Sequence, residues 1–324
     1  MKTILWLFLI LITIHCAAQT KVILDTDIDS DIDDAQALAM LHGYEKLEKI
    51  ELIGVIVTSS DAFSYQCAND INTFYNRPDI PIGFLKQQQN LANFSKYTRQ
   101  ISEEFPHSLT SLNQTTEAAD LYRKLLAESK DDSVVIVTIG HLTSLQNLLQ
   151  SEGDEISPLS GKELVNKKVK KWLCMGGTYP MGKEANFYRP DPASTVYCLD
   201  NWEKEVVFCG WELGNKIITG GDYLRSNLNT RHPIYRGYEL YNNFAGKPAW
   251  DQAAVMLLDK GATTQFFNIN TDGYVSVKKD GSNQWHSGER KKGKNHAFIS
   301  IKENIDPESI AKTMDDLILE LESK

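Results

Sequence analysis

The chain has 324 residues, 42% of them hydrophobic, and a formal charge of −9 at pH 7. That length suits one large α/β domain or two ordinary ones, with enough apolar residues for a sizeable core. The acidic balance excludes nucleic acid and an acidic membrane surface as main partners, because either rewards a basic face.

Residues 1–19 read as a signal peptide. Lys2 is a minimal positive start, and the apolar run 4–14 is shorter than the roughly 20 residues a spanning helix needs. Cys16-Ala17-Ala18 then offers small residues for cleavage before Gln19. The expectation is export to a periplasmic or extracellular compartment, with no membrane attachment after cleavage. Lipidation at Cys16 is the alternative, which His15 disfavours because such sites prefer a small residue there. Cys67, Cys174, Cys198 and Cys209 remain downstream. Their spacing matches neither a small disulfide scaffold nor a zinc site, and buried free thiols account for them as well as pairing does.

Val22-Ile23-Leu24 predicts a strand that ends among Asp25, Asp27, Asp29, Asp31, Asp33 and Asp34. Ala35, Leu38, Ala39 and Leu41 recur at helix spacing and predict an amphipathic helix directly after them. Residues 50–58 predict a second strand, 63–75 a helix stopped by Arg77-Pro78, and 80–84 a short strand. Residues 86–115 read as an inserted surface loop with little regular structure, a length typical of lids. Residues 117–129 predict a helix and 133–139 a strongly β-branched strand. Gly140-His141-Leu142-Thr143 turns into another helix, and 168–175 and 205–209 give two more strands. Residues 213–247 form a long polar and aromatic region before a helix at 250–258. Residues 271–301 alternate between turn signals and read as an antiparallel addition, and a helix at 307–322 closes the chain. The expected fold is α/β, a mostly parallel open sheet covered by helices on both faces, with a small antiparallel β addition near the C-terminus. Without an internal repeat or a long linker, residues 20–324 are expected to form one domain.

Six like charges in so short a run repel one another, and a packed fold holds them only with something positive among them. A hard cation with oxygen ligands answers that need; a solvated acidic loop is the bland alternative. A helix-loop-helix calcium loop does not fit. Ser30 stands where it needs Gly, Gln36 where it needs Glu, and a strand comes first. A haloacid-type phosphatase would use Asp25 as nucleophile and Asp27 as general acid, but a lone Asp-x-Asp supports it and leaves the later aspartates without a role.

Five segments in order carry a resemblance. They are Asp25-Thr26-Asp27 with Asp33-Asp34-Ala35, the strand and turn 136–148, Met175-Gly176-Gly177 with Glu184-Ala185-Asn186, Asp191-Pro192-Ala193, and Trp250-Asp251-Gln252-Ala253. Together they resemble the nucleoside hydrolase family, the inosine-uridine-preferring group and its relatives, over about residues 21–260. The resemblance implies a calcium-dependent hydrolase that splits the N-glycosidic bond of a ribonucleoside or related N-riboside into ribose and free base. It implies a homodimer or homotetramer working in nucleoside salvage. It places Asp27, Asp34, Asp251 and the backbone carbonyl of Ile139 as Ca2+ ligands, and Asp27 also as acceptor of the nucleophilic water's proton. Asp33, Glu184 and Asn186 would hold ribose hydroxyls, with Asp251 sharing that task.

The chain departs from the family pattern in three places. Five residues separate Asp27 from Asp33 where three are usual, so Asp31 is an alternative to Asp27 as ligand. The Asn that follows the second strand is unmatched, with Ser60-Asp61 in its place. Trp250 stands where purine-protonating members carry His; an indole stacks on a base but does not protonate it usefully. His141, His232 and Tyr241 are candidates for the missing leaving-group acid. A ribosyl-ligand-binding protein without turnover is the competing expectation. As single residues, Asp33, Asp34 and Asp251 would also serve as helix caps.

Overall fold

The computed structural model describes residues 19–86 and 91–319. The expected signal peptide lies outside them apart from Gln19, as does Cys16.

Fourteen strands occur among the described residues: β1 (Thr20–Thr26), β2 (Ile50–Val57), β3 (Ile82–Phe84), β4 (Thr116–Glu117), β5 (Val134–Thr138), β6 (Val169–Met175), β7 (Met181–Gly182), β8 (Glu205–Cys209), β9 (Ile218–Thr219), β10 (Lys247–Pro248), β11 (Phe267–Asn270), β12 (Gly273–Val277), β13 (Asn283–Ser287) and β14 (Asn295–Ile301). Nine of them form the central sheet in the order β11-β14-β8-β6-β5-β1-β2-β3-β4. Its neighbours are parallel except β11 against β14. The inner strands are covered on both faces, which is why Val22, Ile23 and Leu24 are all fully buried and read as a continuous apolar run. The chain builds outward from β1 through β2, β3 and β4, then returns to lay β5 against the other edge of β1. Strand order reverses between β1 and β5, and such a reversal opens a crevice beyond the carboxyl ends of the two strands.

The helix after β1, α1 (Asp33–Lys46), corrects one expectation. It is buried from Asp33 through Tyr44 rather than along one stripe. It packs against β2 and is covered by the helices Trp250–Met256 and Pro307–Leu319. Its inward polar groups survive because they are partnered: Gln36 Nε2 donates to Asp315 Oδ1 at 2.8 Å, and His42 Nε2 meets Asn72 Oδ1 at 2.8 Å.

Three further expectations change. The supposed loop 86–115 holds the helix Thr98–Glu104 and a short 3-10 turn, Leu112–Gln114. Region 213–247 holds the helices Asp222–Asn227 and Pro233–Asn242, the latter opened by His232, whose Nδ1 accepts from Ile234 N at 3.0 Å. Within 271–301, β12 and β13 form a small antiparallel sheet with β7, while β14 joins the main sheet parallel to β8. The four downstream cysteines are buried free thiols.

Candidate functional site

Beyond the ends of β1 and β5 lies a cavity of about 510 Å³. The residues expected to hold the metal, accept the water's proton or contact the ribose and base all line it: Asp27, Asp33, Asp34, Ile139, Glu184, Asn186, Trp250 and Asp251. The crossover explains the meeting. Ile139 N donates to Asp25 O at 2.8 Å, which aligns the strand ends, and Gly140 leaves room for Asp27 beside them.

Asp25 stays below this floor. It is 1% exposed, does not line the cavity, and accepts hydrogen bonds from Thr58 Oγ1 (2.5 Å) and Tyr122 OH (2.8 Å). Burial pushes its carboxyl up to about 7 against the pull of those hydroxyls. A nucleophile sealed from the cavity attacks nothing in it, so the phosphatase reading fails here.

Asp33 and Asp34 open α1, and Asp251 sits in the first turn of the helix Trp250–Met256. These three each offer a carboxylate oxygen, all within 4.8 Å of one another. They are not caps: the capping positions are Ile32 and Ala249, neither with a side-chain cap bond. Thr26 Oγ1 donates to Asp34 Oδ1 at 2.5 Å and fixes one of the three. Burial raises Asp27, Asp34 and Asp251 well above the ordinary carboxylate range, and repulsion from neighbouring aspartates adds to it. Burial lifts Asp33 to about 6 against the pull of Lys247. Asp33 Oδ1 is buried with no hydrogen-bond partner. An all-oxygen, multiply anionic donor set, with Asp33 Oδ1 buried and met only by the Lys247 ammonium at 3.5 Å, fits a hard cation. The sequence reading grouped Asp27 with Asp34 and Asp251; the geometry brings Asp33 into that group, with Asp27 on the same wall.

Glu184 caps the short helix Ala185–Tyr188, and Asn186 lies in its first turn. Glu184 accepts from Gly177 N (3.0 Å) and Asn186 N (2.8 Å), and burial pushes its carboxyl up to about 7. Asn186 Nδ2 donates to the Ile139 carbonyl at 2.9 Å, so this side chain reaches the end of β5.

Lys247, Asp29, Phe94, Arg189 and Trp211 carry no role in the sequence pattern, and Asp31 only that of an alternative ligand. Lys247 is the internal cation, its side chain 7% exposed, with Nζ 3.1 Å from Asp31 Oδ2 and 3.5 Å from Asp33 Oδ1. Burial pulls its ammonium down, but Asp33 and Asp31 more than offset this and hold it above the usual lysine value. Asp31 also accepts from Tyr241 OH at 2.8 Å. Asp29 accepts from Ser59 Oγ at 2.6 Å, and burial lifts it to about 6. Phe94, 48% exposed, Arg189 and Trp211 also line the cavity. Lys-Pro-Ala-Trp at 247–250 holds the one signal available, a cation three positions before the indole.

Of the three leaving-group candidates, His141 lines the cavity. Its Nδ1 meets Thr143 Oγ1 at 2.9 Å, and burial lowers it to about 4. His232 is fully buried against Tyr75 OH (2.8 Å), burial lowers it to about 3, and it does not line the cavity. Tyr241 does not line it either. The latter two are corrections.

The family model described as inosine-uridine preferring nucleoside hydrolase matches residues 22–311. No curated protein matches the chain. Among solved structures, the plant nucleoside hydrolase PpNRh1 superposes with a TM-score of 0.67 at 18% identity, covering 94% of this chain and 99% of that one. The purine-preferring ribonucleoside hydrolase of Gardnerella vaginalis gives 0.67 at 16%, covering 93% and 98%. The type III effector protein XopQ, in complex with adenosine diphosphate ribose, gives 0.66 at 15%, covering 94% and 95%. At these identities the structures speak for the fold, while the family match spans most of the chain. The chain belongs to the inosine-uridine preferring nucleoside hydrolase family.

Proposed function

We propose that the protein is an exported, calcium-dependent hydrolase that splits the N-glycosidic bond of a ribonucleoside or related N-riboside into ribose and free base. One observation carries the reading: the carboxylates of Asp33, Asp34 and Asp251 meet within 4.8 Å on the wall of a cavity of about 510 Å³, a size suited to a small ligand.

Asp27, Asp34, Asp251 and the Ile139 carbonyl are the groups that would hold Ca2+, with Asp33 near enough to share. When bound, such a cation supplies Lewis acidity and offsets the charge of the carboxylates around it. Asp27 accepts a proton from the attacking water. Asp33, Glu184, Asn186 and Asp251 bind ribose hydroxyls, and Trp250 stacks on the base. The bond from the anomeric carbon to the base nitrogen breaks, its electron pair leaving with the base. Water oxygen bonds to that carbon, and the base takes a proton from solvent. Positive charge develops on the ribose in this step, beside carboxylates that favour it. Removal of residues 1–19, a periplasmic or extracellular location, and a homodimer or homotetramer belong to the same reading.

Chromatography of a nucleoside panel tests it. Release of free base that stops on chelation, and that falls about a hundredfold or more in Asp34→Ala, supports the reading. Full activity in that variant, or after thorough chelation, sinks it.

A ribosyl-ligand-binding protein without turnover is the second reading. It is favoured by Trp250, whose Nε1 already donates to Trp211 O at 3.0 Å and so offers the base no proton. Calorimetric binding with no product would select it.

A further inference from the structure

We propose that Lys247 assists departure of the base through Trp250: its ammonium, held against one face of the indole, favours the negative charge that a base stacked on the other face gains as the glycosidic bond breaks. The inference rests on the hydrolase reading and extends it to the leaving group.

The geometry is specific. Lys247 Nζ stands 3.9 Å from the centroid of the Trp250 ring. Trp250 lines the cavity and Lys247 is not among the lining residues, so the indole face turned from the ammonium is the one assigned here to the base. The lysine is fixed on every side. Its backbone is in β10, paired with β9 at Thr219, and its Nζ lies between Asp31 (3.1 Å) and Asp33 (3.5 Å). The indole is fixed as well, by its bond to Trp211 O and by Gly214, where an added Cβ would stand 2.6 Å from Trp250 Cα.

Departure of the base is the stage this pair would serve, beside His141, which lines the cavity. Breaking the bond sends an electron pair to the base nitrogen, and Trp250 holds the position from which a proton donor would meet it. Two of the candidate acids do not reach the cavity. A cation on one face of an aromatic ring draws on its π electrons, which leaves the opposite face more receptive to an electron-rich base. Beside low-dielectric protein, a fixed charge is felt further than in bulk solution. The placement also gives the lengthened loop a use, because Asp31, which lies in the extra turn, is one of the two anchors of the ammonium.

Lys247 acts here as a positioning residue, and a leaving-group series separates that from simple propping of Asp33. Steady-state kinetics on inosine and uridine, which release poor leaving groups, are compared with p-nitrophenyl β-ribofuranoside, whose phenolate departs unaided. Lys247→Met is expected to lower kcat/KM for the nucleosides about tenfold more than for the nitrophenyl riboside. Lys247→Arg is expected to restore the wild-type ratio, and Lys247→Gln replaces the Met variant if thermal melting shows that one unfolded. Equal losses on all substrates, or no loss, overturn the inference while leaving the hydrolase intact. A wild-type protein that cleaves none of the substrates overturns both.

Discussion

Gly140 packs directly on Asp27: a Cβ at position 140 would lie 2.7 Å from the Asp27 backbone nitrogen and equally close to its carboxylate. The glycine follows β5 and the aspartate follows β1, so the contact measures how tightly the two strand ends close on the cavity. Backbone cannot yield at that distance, so Gly140→Ala must displace Asp27. The expected result is a fall in kcat of about a hundredfold with a folded protein that loses about 1–3 kcal/mol. Kinetics and denaturant titration check both, and wild-type turnover in this variant would remove Asp27 from the mechanism.

Asp61 fastens the segment that carries Phe94 to the end of β2. It is fully buried and accepts from Phe63 N (3.0 Å), Phe94 N (3.1 Å), Ser95 N (3.2 Å) and Thr98 Oγ1 (2.7 Å). Asp61→Ala strands those donors and should cost about 2–4 kcal/mol. Hydrogen exchange should report it first at the Phe94 and Ser95 amides, with KM rising as Phe94 loosens over the cavity. Unchanged protection at those two amides would show that the carboxylate does not hold the segment.

The carboxylate cluster couples stability to pH with a definite sign. A carboxyl whose folded pKa lies above the unfolded value of about 3.9 binds more protons when folded. Its contribution is complete below that value and is lost as pH rises through the folded one. Burial lifts Asp33 to about 6 and raises Asp34 and Asp251 as well. The cluster should therefore destabilise chelated protein progressively from about pH 4 upward. A bound cation takes the ionised form, so the rise in melting temperature on adding Ca2+ should grow over the same span. Melting curves with chelator and with Ca2+ measure this directly, and a calcium increment that does not vary with pH would contradict it.

Much of this was legible because it is local. The aspartates from Asp25 to Asp34 sit between an apolar strand and a helix, and the ordered segments at 136–148, 175–186 and 250–254 supplied the rest of the wall. Burial was less legible. Spacing alone suggested a striped α1, yet the polar groups on its far side are met by Asn72 and Asp315, which no local pattern reveals. The helix Thr98–Glu104 was hidden for the opposite reason: Tyr97 and Ile101 anchor it in the core, and most of its other residues are polar. Lys247 could be read only as a surface lysine, since its partners Asp31 and Asp33 lie at the other end of the sequence. The unmatched Ser60-Asp61 registered as a loss of the family's Asn, whereas Asp61 serves the neighbouring segment.

Product analysis tests the central claim most directly. Protein incubated with inosine or uridine and Ca2+, in phosphate-free buffer, is assayed for reducing sugar and for free base. Ribose and base formed in equal amounts, and abolished together by chelation, are the predicted result. Intact nucleoside after prolonged incubation, or base released without ribose, would contradict it.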